Sequence, residues 1–201
     1  MIFRSLMRPE KFKSICEARK SEVVAKLKDI RVLQSFYKTE NGSYANNFEQ
    51  LRDFFNNGKI TIVIKEGTAP DTLTETQALA LNLIRRDTII LNAQDEIKKS
   101  LPDFDVHTFD IIPYSKGEQF QMTADTLWSE TSVYVYEVIA RKNQYLKDLD
   151  NDPRIKNIFL GKLLYNGLKE QFFGSDFQYK NNVTDIILGS LVEPSTKGNW
   201  E

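Results

Sequence analysis

SEVVAKLKDIRVLQSFYKTENGSYANNFEQLRDF, residues 21–54, is the stretch that decides the fold of this chain. Val23, Leu27, Ile30 and Tyr37 recur at the spacing of one apolar face on an α-helix. The pair Asn41-Gly42 follows, and it can take the left-handed backbone conformation that closes a helix C-terminus. The stretch therefore predicts a long amphipathic helix that ends at Gly42.

A second helix is predicted directly after the first. Asn47 can act as its N-cap, and Gln50 lies where a capping box needs a glutamine or glutamate. Asn57-Gly58 repeats the stop signal used by the first helix. The apolar face of this second helix would consist of Phe48, Leu51 and either Phe54 or Phe55.

After Gly58 the pattern changes to the alternation and the β-branched content of strands. Short turns between the segments favour antiparallel pairing. Helices are also predicted near residues 78–84 and from Asp152, with a helical turn or a continued strand at 95–99. We therefore predict an α+β fold with the long N-terminal helix across an antiparallel sheet of four to six strands and two or three accessory helices. The predicted strands are residues 59–65, 86–91, 109–114, 118–122 and 132–139.

The first helix is expected to begin at Pro9 or Glu10, because proline is tolerated in the first turn. Its N-terminal half is polar on nearly every side, so residues 11–21 should project from the body or fray. This predicts a membrane-proximal stalk over residues 1–20 and a globular domain over residues 21–201.

The first residues suggest a membrane boundary. Apolar side chains lead into Arg8-Pro9-Glu10-Lys11, as at the last turns of an anchor and its positively charged flank. No window in the chain approaches the roughly 18 apolar residues of a membrane span, and no signal peptide can be drawn. We expect the natural gene to begin further upstream with an apolar span. The apolar residues concerned are Ile2, Phe3, Leu6 and Met7.

The composition argues against several functions. The chain has 27 Lys+Arg, 28 Asp+Glu and a net charge of −1, without the clustered basic surface that nucleic-acid binding needs. Cys16 is the only cysteine, which excludes an intramolecular disulfide and argues against a zinc cluster. His107 is the only histidine, so a catalytic triad or a histidine-rich metal site would depend on this one residue. No cofactor-binding motif occurs.

Two acidic groups are candidate sites. Asp148, Asp150 and Asp152 alternate like the first ligands of a calcium loop, but the later positions exclude an EF-hand, leaving a looser calcium site or a plain helix cap at Asp152. On a strand, Asp103, Asp105 and His107 would point one way, where they could bind a metal weakly or form a general base. A polar loop that happens to hold the only histidine is the simpler interpretation.

Tyr134 and Tyr136 would share one face of the strand at 132–139. Such an aromatic pair is typical of cross-strand packing. A groove for a partner strand is the alternative.

The segment Phe36-Tyr37-Lys-Thr-Glu-Asn41-Gly42-Ser43-Tyr44, followed by Phe48-Glu-Gln-Leu51, resembles type IV pilins and the pseudopilins of type II secretion. The resemblance implies a long helix, an asparagine-glycine-x-tyrosine turn and an antiparallel sheet packed on the helix. It covers about 35 residues, and no calcium ligands are carried over. The cleaved leader and apolar helix half of pilins are not found in these residues, as expected for a chain that starts at its membrane boundary.

The chain is also similar to an uncharacterised group of bacterial envelope proteins of the same plan. Gly117-x-x-Phe120-Gln121-Met122 and Gly198-Asn199-Trp200-Glu201 are the further points of similarity. This second resemblance implies no known activity.

Together these features predict a non-catalytic, membrane-tethered structural or assembly protein of the bacterial cell envelope. It would face the periplasm from the inner membrane and contact other envelope proteins or further copies of itself. The alternative is a soluble adaptor or chaperone-like module that binds a peptide or protein at a sheet edge, cytoplasmic if the chain is complete as given. An enzyme using Asp103, Asp105 and His107 is a third class. The residues predicted to matter for structure or interaction are Asn41, Gly42, Tyr44, Tyr134, Tyr136 and Trp200.

Overall fold

The secondary structure comes from a computed structural model, which describes residues 2–67, 74, 76–77, 81, 83–128, 132–147, 149 and 184–201. The chain has a mixed α+β fold with a long N-terminal helix and antiparallel sheets. The described helices are α1 (Ile2–Asn41), α2 (Phe48–Asn57), α3 (Ala93–Ser100) and α4 (Lys142–Tyr145). The described strands are β1 (Lys59–Glu66), β2 (Arg85–Asn92), β3 (Gln121–Leu127), β4 (Val133–Ala140) and β5 (Ile186–Gly189).

Helix α1 is one continuous helix of 40 residues. The prediction that it starts at Pro9 or Glu10 is wrong, because the helix already includes Ile2. Pro9 therefore lies inside the helix, where it has no N–H to donate to the backbone. The apolar residues near Ile2 and the packed half of α1 thus belong to the same helix.

The buried face of α1 includes Cys16 and Leu33, which lie close to the predicted apolar face, and it extends to Ile15. Ile15 and Cys16 are buried and belong to the same core as the predicted apolar residues further along. Arg19 is also buried, and its guanidinium NH1 donates to the backbone carbonyl of Tyr145 at 3.2 Å and of Lys147 at 3.0 Å. The expectation that residues 11–21 project from the body is therefore wrong from Ile15 onward. The stalk over residues 1–20 as a separate unit stays a prediction.

Helix α2 begins and ends where the sequence predicts, although its C-terminus uses a different device. The Asn47 Oδ1 atom accepts from the Gln50 amide at 2.9 Å, and Gln50 Oε1 accepts from the Asn46 amide at 2.8 Å. Gly58 has φ −68°, so it is not left-handed as Gly42 is. A Cβ atom on Gly58 would lie 2.3 Å from the Phe54 carbonyl oxygen. Glycine is needed here for a close backbone approach.

The strands form two separate sheets in the described residues. Strands β1 and β2 pair antiparallel from Lys59↔Asn92 to Glu66↔Arg85. Strand β4 is the centre of the second sheet, with β3 on one side and β5 on the other, both antiparallel. Helix α1 contacts β1 of the first sheet and β5 of the second. The expectation of a single sheet is wrong, because α3 and a run of turns separate β2 from β3.

The strand predicted at 109–114 does not form. Only an isolated bridge joins Ile111 to Gln119, and Pro113 has no N–H to donate to a ladder. Tyr114 and Lys116 both have φ 66°, which belongs to a turn. The predicted partner segment at 118–122 contributes its end to β3, which pairs with β4 instead.

The remaining predicted helices and strands either form where predicted or lie wholly or partly outside the described residues. Residues 95–99 are helical within α3, and the strand predicted at 132–139 is β4. Thr74 and Gln77 make both bonds of a capping box ahead of the helix predicted near 78–84, with the Gln77 Oε1 atom accepting from the Thr74 amide at 2.9 Å. Within that predicted helix, residues 81, 83 and 84 lie in a turn or bend and are not helical, and the other positions lie outside the described residues. The helix predicted from Asp152 also lies outside them.

Candidate functional site

The end of α1 is closed by the predicted asparagine-glycine pair. Gly42 has φ +76°, and its N–H donates to the Lys38 carbonyl at 2.8 Å. The Asn41 side-chain amide donates to the Tyr37 carbonyl at 3.0 Å. These bonds satisfy carbonyls that would otherwise lack a partner at the helix end. The role predicted for Asn41 and Gly42 as a helix stop is therefore confirmed.

Tyr44 folds back onto the last turns of α1. The Lys38 ammonium lies 4.4 Å from the centre of the Tyr44 ring, and its Nζ donates to the Tyr44 hydroxyl at 3.3 Å. The ring of Tyr44 also packs against Tyr136 of β4, with 4.5 Å between the ring centres. The turn after α1 is therefore held between the helix and the central strand of the second sheet. We call Lys38, Asn41, Gly42, Tyr44 and Tyr136 the tyrosine junction.

Gln34 supports the tyrosine junction from α1, and the sequence prediction did not include it. Its side chain is fully buried at 0% exposure. The Nε2 atom donates to the Ala45 carbonyl and the Oε1 atom accepts from the Ala45 amide, both at 2.9 Å. The side-chain amide thus pairs with both backbone groups of Ala45, as a neighbouring strand would. Its position in the sequence could have indicated its burial, because Gln34 follows Ile30 by four residues and therefore lies on the buried face of α1.

Tyr134 and Tyr136 lie on the same side of β4 but in different surroundings. Tyr136 is 1% exposed, whereas Tyr134 is 41% exposed. The residue opposite Tyr136 is Ala124, whose small side chain leaves room for the Tyr44 ring. Burial raises the pKa of the Tyr136 hydroxyl above its ordinary value of 10.0. Tyr136 is thus a core residue, and Tyr134 remains accessible to a partner.

The C-terminal segment lies beside β5 and reaches α1. Trp200 packs against the hydrophobic core, and a Cβ atom on Gly198 would lie 2.3 Å from the Trp200 ring. The Glu201 carboxylate accepts from the Arg31 guanidinium at 2.5 Å. The predicted residue Trp200 therefore attaches the C-terminal segment to the core, whereas Trp128 is exposed to solvent.

Asp103, Asp105 and His107 lie in turns and not on a strand, so they do not share one face as expected. The Asp105 carboxylate accepts from the His107 backbone amide at 2.9 Å and from the Thr108 hydroxyl at 2.7 Å. These bonds hold the pKa of the Asp105 carboxyl below its ordinary value of 3.8. Both carboxylate oxygens of Asp105 thus accept hydrogen bonds within the loop. This agrees with the interpretation of these residues as a polar loop.

A buried carboxylate follows in the same loop. Asp110 is 1% exposed, and its Oδ2 atom accepts from Arg52 at 3.0 Å and from Gln119 at 2.7 Å. The Lys26 ammonium donates to the nearby Thr108 carbonyl. These bonds join the loop to α2 and α1. The other carboxylate oxygen of Asp110, Oδ1, is buried without a hydrogen-bond partner among the described residues.

The pair β1–β2 carries the main accessible apolar surface of the described residues. Val63 and Ile90 are 56% and 62% exposed. The alternating sequence predicted strands here, but it did not show that neither face is fully covered. We call this the hairpin surface, and its exposed apolar residues are Val63, Ile64, Ile89 and Ile90, with Leu81 and Leu83 just before β2.

The described part of the chain contains no group of three or more His, Cys, Asp or Glu residues placed to hold a metal ion. It also has no helix that combines the length and the apolarity needed to cross a bilayer. The predicted calcium candidates Asp148, Asp150 and Asp152 lie outside the described residues.

Comparison of the chain with protein-family models, with curated proteins and with solved structures found no match. The resemblance to pilins and pseudopilins therefore stays a prediction.

Proposed function

We propose that this chain is a non-catalytic, membrane-tethered structural or assembly protein of a bacterial cell envelope, with a pilin-like domain. The observation that carries the proposal is the architecture of α1. One unbroken helix joins the apolar residues at Ile2 to the buried face that ends at the tyrosine junction. At a rise of about 1.5 Å per residue, a helix of this length spans about 60 Å.

The tyrosine junction supports the pilin-like part of the proposal. The asparagine-glycine-serine-tyrosine segment closes α1 and places Tyr44 against Tyr136 of an antiparallel sheet. In the type IV pilins and pseudopilins that the chain resembles, the corresponding segment links the helix to the sheet. The His107 backbone amide and the Thr108 hydroxyl both donate to the Asp105 carboxylate and shape this loop, which supports a non-catalytic function.

Fractionation of the native bacterium tests the tether. An antibody raised against this chain would follow the product of the complete gene through carbonate washing of membranes. We expect it in the washed inner-membrane pellet, and we expect added protease to digest it in spheroplasts but not in intact cells. Recovery in the soluble cytosol would contradict the proposal.

Crosslinking in intact envelopes tests the contact with other proteins. We expect the antibody to recover other envelope proteins or further copies of the chain. An H107A variant would serve as the control, because His107 is exposed and a non-catalytic protein should keep its cellular function without it. Loss of function in H107A with an unchanged thermal midpoint would indicate an enzyme.

A second function is supported by the hairpin surface. An adaptor or chaperone-like module that binds a peptide at a sheet edge needs an accessible strand edge beside apolar side chains. The exposed Val63 on β1 meets that need. Soluble recovery of the full-length product, together with peptide binding at β1, would favour this alternative.

A further inference from the structure

Among the described residues, the outer edge of β1 is unpaired beyond its first residues. The Thr61 amide donates to the Glu40 carboxylate of α1 at 2.9 Å, which shows that Thr61 directs its backbone away from β2. Alternate residues of a strand direct their backbone groups to the same edge, so those of Val63 point outward too. Outside the β1–β2 pair, no described residue bonds to the Val63 backbone, and its side chain is exposed.

One face of the same hairpin is basic and apolar. From the β1–β2 register, this face holds eight residues, and none of them is Asp or Glu. Cations occupy three of its positions. Val63 and Ile90 supply exposed apolar side chains between them. The eight positions are Lys59, Thr61, Val63 and Lys65 on β1, and Arg86, Thr88, Ile90 and Asn92 on β2.

The edge of β2 is less suited to a partner. Its outward amide at Thr88, in the middle of the strand, already donates to the Asp87 carboxylate at 2.9 Å. On β1 the corresponding carboxylate, Glu40, lies at Thr61 near the start of the strand and leaves the Val63 backbone to a partner. The unpaired backbone groups in the middle of the strand therefore favour β1.

We propose that the β1 edge binds an extended, acidic segment of a partner protein as an added antiparallel or parallel strand. The partner's backbone would bond to Val63 and replace the Glu40 carboxylate at Thr61. Its acidic residues would pair in register with the positions of Lys59 and Lys65, and its β-branched residues with the positions of Thr61 and Val63. Main-chain bonds supply the affinity in this mode, and alternate side chains supply the selectivity.

A protein strand fits better than an anionic lipid surface, and this choice rests on the proposed function. The hairpin is attached near Glu40, about 57 Å along α1 from Ile2. A strand of eight residues spans about 27 Å, so the hairpin would stay about 30 Å from a membrane at Ile2 even if it pointed back.

The test uses the soluble chain and a labelled, capped peptide, Glu-Thr-Val-Thr-Val-Thr-Glu, which reads the same in both directions. We expect saturable binding by fluorescence anisotropy. Binding should be about fivefold weaker when lysine replaces both glutamates, because like charges directly opposite each other destabilise a strand pair. No binding at millimolar peptide, or equal binding of the lysine peptide, would overturn the proposal.

Four variants locate the site. V63P removes the outward N–H at a position where an edge strand tolerates proline, and it should weaken binding about tenfold, whereas V63T should stay within about twofold. K59E should weaken binding about fivefold, whereas K98E, the same charge change on exposed α3, should not. Equal affinity of K59E and K98E would overturn the assignment. Protected amides at Ile62 and Ile64 in V63P would show that the β1–β2 ladder is intact.

Two further measurements separate other occupants. Sedimentation with phosphatidylglycerol vesicles that is lost in K59E, or a dimer that is lost in V63P, would overturn the choice of a separate acidic strand. E40A removes the competing carboxylate and should tighten peptide binding about two- to fivefold. Peptide binding together with a cytosolic full-length product would contradict the proposed function and support this inference. A membrane-bound product without peptide binding would support the proposed function and contradict this inference.

Discussion

The ring centres of Tyr44 and Tyr136 lie 4.5 Å apart, with their planes inclined by 50°. This contact joins the turn that closes α1 to the central strand of the second sheet. Tyr136 is buried, and Tyr44 is partly covered between it and Lys38. The position of the helix relative to the sheet therefore depends on two aromatic side chains that are far apart in the sequence.

The Tyr136 hydroxyl is buried without a hydrogen-bond partner among the described residues. Removing an unpaired buried hydroxyl relieves its desolvation, so we expect Y136F to be neutral or up to about 1 kcal/mol more stable. Y136A should lose about 3–5 kcal/mol because it leaves a cavity. Urea unfolding monitored by fluorescence measures both. Y134A, at the exposed position on the same face, is the control and should lose less than about 1 kcal/mol. A large loss in Y136F would show that the hydroxyl is bonded.

Gly42 should be required for its backbone conformation alone. A Cβ atom there would meet nothing within 4 Å, but φ is +76°. We expect G42A to lower the free energy of unfolding by about 1–2 kcal/mol. G42N should lose less, because asparagine enters the left-handed region more readily than alanine. Urea titration of the three proteins makes the comparison, and equal losses in G42A and G42N would contradict it.

Gln34 should be more important than its polar side chain suggests. In Q34L both backbone groups of Ala45 lose their partner in a buried site, so we expect a loss of about 2–4 kcal/mol. S35L places the same residue on the exposed side of α1 and should have little effect. Hydrogen exchange of the Ala45 amide provides a local measurement. Unchanged protection of that amide in Q34L would show that another group replaces the glutamine.

The Asp105 carboxyl should contribute to acid unfolding. Its pKa in the folded chain lies below the ordinary value of 3.8, so the ionised form stabilises the native state above that pH. This stability is lost as the pH falls through the folded pKa. We therefore expect D105N to lose less stability than the native chain when the pH is lowered from about 6 to about 2.5. Urea titrations across this range measure the difference.

T108V is the companion to that experiment. It removes one hydrogen bond to Asp105 and keeps the carboxylate. The fall in the free energy of unfolding on acidification should therefore occur at higher pH in T108V than in the native chain. The same pH dependence in the native chain, D105N and T108V would contradict the role assigned to these hydrogen bonds.

Much of the local structure could be predicted because its causes lie within a few residues. The apolar spacing from Val23 predicted the packed half of α1, and Asn41-Gly42 predicted its end. The N-cap at Asn47 is equally local. The failures came where distant residues decide. Arg19 lies in the segment that was expected to project from the body. It is buried because the carbonyls of Tyr145 and Lys147 accept hydrogen bonds from its guanidinium.

Some of the residues predicted to matter for structure or interaction lie together for the same reason. Asn41, Gly42 and Tyr44 lie together because the turn itself brings them together. Gln34 was missed, since an amide on a helix shows its partner only when the backbone of Ala45 returns to it. The alternation at β1 and β2 predicted strands but could not show which edge another element covers.

By itself, the sequence determined where α1 is apolar and where it stops, how α2 is capped, and which segments alternate like strands. These features depend on spacing, on capping side chains and on the freedom of glycine at positive φ. Only the tertiary structure decided that the described strands form two sheets, that Tyr136 is buried while Tyr134 is exposed, and that no described element pairs with the outer edge of β1. Those outcomes depend on which distant surfaces meet, because burial and strand pairing are properties of two segments and not of one.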